Sequence, residues 1–141
     1  MSIEDYAGMY QLWRDISGMG MNSLDDSEEG ISKYLERNPN TCFVAVKEKR
    51  IVGVILSGHD GRRGFIYHTA VLVSERKQGI GNALLSASLA ALETEGITKV
   101  ALVVFSKNEV GNRFWEQRGF TIRPDLTYRN KALKNAVRID T

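Results

Sequence analysis

Cysteine and proline are scarce in this chain: its 141 residues include one Cys, Cys42, and two Pro. A single cysteine excludes an internal disulfide framework, so the fold relies on its own core, and the composition suits a reducing compartment. Cys42 sits in the apolar run Cys42-Phe43-Val44-Ala45-Val46, where it reads as a small buried hydrophobe rather than a reactive thiol. No apolar stretch approaches the ~20 residues of a membrane span. The start Met1-Ser2-Ile3-Glu4-Asp5 is not a signal peptide, so the expected location is cytoplasmic, with no membrane partner. Excess charge is missing too. A net charge of +2 does not point to nucleic acid, and Arg50, Arg62, Arg63, Arg76 and Lys77 are all that such a reading has. What remains is 43% hydrophobic and 26% charged residues, an ordinary globular composition, expected to fold as one domain over 1–141. No internal repeat or linker interrupts it, and no metal site is expected.

Periodicity orders the elements. Ser2 and Asp5 resemble a capping box, followed by Tyr6, Met9, Tyr10, Trp13 and Ile16 at helical spacing. Gly18-Met19-Gly20-Met21 breaks this helix. A second capping signal, Ser23 with Asp26, precedes Ile31, Tyr34 and Leu35, and Asn38-Pro39 ends the helix. Cys42 to Lys47 and Ile51 to Ser57 read as a hairpin around Glu48-Lys49-Arg50, the second arm apolar throughout and therefore central. Phe65 to Val73 is the next strand. A helix then runs from Gly79 to about Glu95, followed by a strand over Lys99 to Phe105 and a helix over Asn108 to Arg118. Short strands are expected at Phe120 to Arg123 and Tyr128 to Leu133. The order implies an α/β fold: a mixed sheet with helices on both faces.

The segment Val71-Leu72-Val73-Ser74-Glu75-Arg76-Lys77-Gln78-Gly79-Ile80-Gly81-Asn82 carries the chemistry. A strand enters a basic, glycine-bearing turn that opens a helix. Glycines let backbone approach an anion, and the first helical N–H groups lack internal partners. The dinucleotide fingerprint is excluded because its third glycine position holds Leu84, and no Gly-Lys-Ser/Thr run of a P-loop exists. An ordinary strand-to-helix turn stays open as the plainer reading.

A second motif lies downstream: Asn108, then Phe114-Trp115, then Gly119-Phe120. With Arg76-Lys77-Gln78-Gly79-Ile80-Gly81 one strand away, the chain resembles the GNAT superfamily of acetyl-CoA-dependent N-acetyltransferases. The resemblance implies a central twisted mixed sheet of about six strands, here without the usual N-terminal strand. That edge leaves room for a partner chain, as in a homodimer. It implies acetyl-CoA as cofactor: backbone of Val71, Leu72 and Val73 along the pantetheine arm, Arg76 to Asn82 around the pyrophosphate, Asn108 on the arm, and Phe114 with Trp115 walling its thiol end. Trp115 is a departure, since the family commonly carries a tyrosine there, and indole cannot act as an acid.

Under this resemblance the activity is acetyl transfer to a primary amine of a small molecule or a peptide, by direct attack in a ternary complex. An acyl-CoA-binding module without catalysis is the alternative that Trp115 motivates. His68 is a candidate base, and Tyr67 and Tyr128 are candidate phenols. His68 also has a plain reading as a packed, hydrogen-bonded residue. Strand alternation sends Tyr67 and His68 to opposite faces. His59 and Asp60 lie on the preceding loop. Arg62 and Arg63 suit either an acidic acceptor group or solvent, and Lys107 and Arg113 either a ribose phosphate or a helix surface. Met19 and Met21 suit an acceptor pocket, while Tyr10, Trp13 and Tyr34 suit core packing.

Overall fold

The computed structural model of the protein describes residues 1–139. The Ser2–Asp5 capping pair forms, with the Ser2 amide donating to Asp5 Oδ2 at 2.8 Å. It starts a 3-10 turn, Ile3–Asp5, that runs into α1, Tyr6–Arg14. Met9, Leu12 and Trp13 are the buried stripe of α1, at the i, i+3, i+4 spacing of one helical face. Helix α2, Glu28–Arg37, starts later than the Ser23–Asp26 pattern suggests. Its cap is Ser27, whose Oγ accepts from the Gly30 amide at 3.1 Å. Ser23 and Asp26 are engaged elsewhere: Ser23 Oγ accepts from the Val137 amide, and Asp26 Oδ2 from the Asn22 amide at 2.6 Å.

Four strands form the main sheet: β2, Phe43–Lys47; β3, Arg50–His59; β4, Gly64–Val71; and β5, Val100–Leu102, in the order β2-β3-β4-β5. The two outer pairings differ. β2 and β4 run antiparallel to β3, while β5 is parallel to β4. The β2–β3 turn closes through Glu48 and Lys49, both at positive φ, the twist that a two-residue hairpin requires. Helix α3, Ile80–Thr94, makes the crossover to β5, and α4, Glu109–Glu116, follows. A separate two-stranded ribbon pairs β1, Met21–Asn22, with β6, Arg138–Ile139, antiparallel.

Several expectations are corrected. Four strands, not about six, share the main sheet among the described residues. Residues 120–123 and 128–133 are irregular. Around Pro124 the chain turns instead, with the Leu126 amide donating to the Arg123 carbonyl and Arg123 gripping Asp125 through two bonds of 2.8 and 2.7 Å. β5 is shorter than Lys99 to Phe105 because its partner β4 leaves it after Ile66.

The sheet buries a core on each face. Met9, Leu12 and Trp13 of α1 and Ile31 and Leu35 of α2 pack on Val54, Leu56 and Ala70. On the other face Leu84 and Leu85 of α3 and Trp115 of α4 pack on Ile55 and Ile66. Neighbouring β3 residues thus serve opposite cores, which explains why that strand is apolar throughout.

Buried hydroxyls tie the first core to α3. Thr41 Oγ1 donates to the Ser57 carbonyl and Ser57 Oγ to the Thr41 carbonyl, each at 2.5 Å, and Ser57 Oγ meets Ser88 Oγ. Cys42 joins them, 2% exposed, its thiol donating to the Ser57 carbonyl at 3.1 Å. Burial pushes that thiol up to about 11. The unfolded thiol titrates nearer its ordinary value of 9.0. Above that pH the unfolded chain therefore sheds the proton first, and the thiol's contribution to stability, complete below pH 9, is lost as pH rises toward 11. We expect stability to fall through this window by about 1.4 kcal/mol per pH unit from this group. Urea midpoints across the window should show a shallower decline in Cys42→Ala.

Candidate functional site

Helix α3 begins differently from its neighbours. Ser27 caps α2 and Asn108 caps α4, its Oδ1 accepting from the Gly111 amide at 2.9 Å. No side chain caps α3. Its N-cap is Gly79 in the left-handed region, φ 83°, and the first internal bond runs from the Ala83 amide to the Gly79 carbonyl. The amides of Ile80, Gly81 and Asn82 lie ahead of that bond and face outward under the positive end of a 15-residue helix. Two cations and one polar side chain, Arg76, Lys77 and Gln78, are exposed on the turn before it. Arg76 Nε donates to the Val71 carbonyl at 3.1 Å, and Gln78 bonds Glu75, which pairs with Lys47 at 2.8 Å.

Gly81 is where the backbone must be bare: a Cβ there would stand 3.1 Å from Phe114 Cε2. Phe114 in turn carries Arg118, whose guanidinium lies 3.8 Å above the ring and whose Nε donates to Asn82 Oδ1 at 3.2 Å. Arg118 is a third cation at this helix end, and sequence reasoning missed it. Only its place just before Gly119 in the second motif could have flagged it.

A notch opens beside the turn. β4 and β5 are paired only at Gly64, Phe65 and Ile66, and beyond them Tyr67, Val103 and Phe105 are exposed. Val71 pairs with Gly53 on β3, and the Leu72 amide donates to the Val52 carbonyl at 2.8 Å. On the side toward β5 this stretch has no strand partner among the described residues. Two surface hollows lie elsewhere, one beside Ile3 and α2, the other between α1 and the β2–β3 hairpin.

β4 also carries a bulge. The pairs Val54 with Ala70 and Leu56 with Tyr67 leave His68 and Thr69 both opposite Ile55. His68 adopts φ 25°, a conformation costing about 1–3 kcal/mol for such a residue. The bulge corrects the alternation expected of this strand. Tyr67 meets Tyr34 of α2 edge-on, at 5.9 Å between ring centres, and His68 packs 5.1 Å from Trp13 of α1. Both therefore turn to the α1–α2 layer. His68 Nε2 lies 2.6 Å from Asp26 Oδ1. Burial raises the Tyr67 phenol, with Tyr128 and Asp25 adding to the effect, and raises Tyr34 much further. Tyr128 is exposed, close enough to Tyr67 to be felt there.

Other candidates fall apart from this cluster. Trp115 is 9% exposed in the second core. Met21, Trp13 and Met9 are fully buried in the first core, while Met19 and Tyr10 pack partly against it. Arg62 and Arg63 sit before β4 with their amides on Asp60 Oδ1, at the end of the strand opposite the Gly79–Gly81 turn. His59 is paired with Glu95. Lys107 and Arg113 are exposed.

The turn, the notch and the helix behind them belong to one stretch, and residues 6–120 match the Acetyltransferase (GNAT) family. The chain is a GNAT acetyltransferase. It is 31% identical over 106 residues to Acetyltransferase ECA0875 of Pectobacterium atrosepticum, covering 75% of this chain and 74% of that one. It is 28% identical over 130 residues to Acetyltransferase SG1711 of Sodalis glossinidius, covering 92% and 90%. Among solved structures, Ard1 from Thermoplasma volcanium shares the fold with a TM-score of 0.77 at 22% identity, over 87% of this chain and 80% of that one. PaiA N-acetyltransferase from Thermoplasma acidophilum, in complex with coenzyme A, superposes with a TM-score of 0.75 at 19% identity, over 87% of each chain. This GNAT chain has no helix among its described residues long and apolar enough to cross a membrane.

Proposed function

We propose that this acetyltransferase moves an acetyl group from acetyl-CoA to a primary amine, on a small molecule or at a peptide N-terminus, by direct attack in a ternary complex. The observation that carries the reading is the uncapped start of α3. Its free amides, the bare backbone at Gly79 and Gly81, and Arg76, Lys77 and Arg118 fit a diphosphate. Val71 ends β4, whose side toward β5 has no strand partner past Ile66 among the described residues, and Leu72 and Val73 lead from it into a 3-10 turn; an amide-bearing arm would add along this backbone as a strand does. Phe114 packs against Gly81 at the head of α3, with Trp115 beside it in the core, and Asn108, the cap of α4, is assigned to the cofactor arm. Acetyl-CoA supplies the thioester; the chain holds it, excludes water and handles the amine's protons. Tyr67 and His68, turned to the α1–α2 layer, and Tyr128 near Tyr67 are the candidates for that last task. The whole of 1–141 is read as one catalytic domain working in a reducing compartment. A protein of similar fold, AAC(6')-Iy, forms a complex with the bisubstrate analogue CoA-S-monomethyl-acetylneamine, at 17% identity to this chain and a TM-score of 0.71.

Free thiol released from acetyl-CoA, followed across an aliphatic diamine, an aminoglycoside and a peptide with a free N-terminus, tests the proposal. Amine-dependent release is the expected result. Tight CoA binding with no release for any amine would favour the second reading, an acyl-CoA-binding module, which Trp115 in place of a phenol supports.

A further inference from the structure

Asp26 is 3% exposed, and the sequence marks it only as half of the capping signal with Ser23 that the fold does not use. A buried carboxylate needs partners for both oxygens. Oδ2 accepts from the Asn22 amide at 2.6 Å, and Oδ1 faces His68 Nε2 at 2.6 Å. The loop that bears it is tied down. Asn22 Oδ1 accepts from the amides of Leu24 and Asp25, and the Tyr6 hydroxyl donates to the Asp26 carbonyl at 2.9 Å. Across from it, His68 is held at the bulge with φ 25° and its ring against Trp13.

We propose that Asp26 is the positioning residue of a proton-accepting dyad with His68, an inference that rests on the acetyl-transfer reading above. A carboxylate only accepts, so the ring proton sits on Nε2 and the Nδ1 lone pair is left bare. Nδ1 has no hydrogen-bond partner among the described residues, and the His68 side chain keeps 17% of its surface exposed. Tyr67 lies on the same layer. The acceptor arrives as an ammonium ion. Nδ1 takes one of its protons and passes it to solvent. The neutral nitrogen then forms a bond to the thioester carbon as the carbon–sulfur bond breaks. The second proton lost from that nitrogen ends on the departing sulfur, so ammonium and acetyl-CoA become amide, CoA thiol and one released proton. His68 is the catalytic residue of this step; Asp26 acts through it.

Asp26→Asn has a definite consequence. The Asn22 amide requires an acceptor, so the new side-chain oxygen turns to it and the NH2 group faces His68 Nε2. An NH2 group donates, which moves the ring proton to Nδ1 and removes the lone pair that would take the ammonium proton. Nitrogen-15 NMR of the labelled wild-type imidazole, recorded at high enough pH to show the neutral ring, should show Nε2 protonated and Nδ1 bare. In Asp26→Asn the two should exchange roles. For an amine of the panel that turns over, kcat should fall roughly 100-fold or more in either His68→Gln or Asp26→Asn. The KM for acetyl-CoA should hold within about twofold, and adding Asp26→Asn to His68→Gln should cost nothing further. A wild-type ring protonated at Nδ1 overturns the proposal, and this measurement needs no variant. A reversed tautomer with unchanged kcat overturns it as well. Absence of turnover with every amine counts against acetyl transfer itself, while the wild-type spectrum still decides the tautomer.

Discussion

Replacing Gly81 by glutamate is expected to weaken CoA binding by at least ~100-fold, about 3 kcal/mol, in a calorimetric titration. Two effects combine. The new Cβ would stand 3.1 Å from Phe114 Cε2, 3.3 Å from Cζ and 3.7 Å from Val71 Cγ2, so the ring under Arg118 must shift. The carboxylate also occupies the amides at the start of α3 and repels a diphosphate, and like charges brought together cost several kcal/mol. Folding is affected far less, because an acidic group in a helix's first turn favours the helix by about 0.3–1 kcal/mol. Lost affinity with a retained thermal midpoint is therefore the signature. Gly81→Ala keeps the steric part without the charge and should fall between. Unchanged affinity in Gly81→Glu would place the diphosphate elsewhere on the chain.

Trp115→Ala is expected to cost about 3–5 kcal/mol of stability, the range for deleting a large buried aromatic. The ring is among Ile55, Ile66, Leu84 and Leu85. It meets Phe114 and Phe120 nearly edge-on, at 5.0 and 5.2 Å between ring centres, so the loss removes two aromatic contacts along with the buried area. Urea unfolding followed by circular dichroism measures it, with an unchanged denaturant slope as the mark of a simple stability loss. Under about 1 kcal/mol would mean the ring is a wall for the cofactor rather than core.

The Gly79–Gly81 turn and the helix behind it were legible because their physics is local. Positive φ asks for glycine, an amphipathic face repeats every three or four residues, and both show in a window of fifteen. The acceptor side is written in contacts that no window contains. His68 and Asp26 are 42 residues apart, and a bulge leaves no mark in the alternation it disrupts, so Tyr67 and His68 read as opposed when they are not. The β1–β6 ribbon is two residues long on each side, too short for any period. Ser23 and Asp26 look like a cap because a free serine and aspartate prefer that task; tertiary partners claimed them first. Trp115 shows the converse, since a motif assigns it a task at the cofactor and packing places it in the core.

The ribbon has a consequence for the order in which the molecule matures. The Val137 amide bonds Ser23 across 114 positions of chain, beside the Asn22 whose own amide fixes Asp26. Closing so large a loop is entropically dear, and contacts of such separation form slowly. The two helical cores assemble from nearer neighbours. On a ribosome, the turn at Gly79 emerges long before the strand that completes the loop holding Asp26. The turn at Gly79 can thus take shape before the ribbon that braces the Asp26 loop has closed.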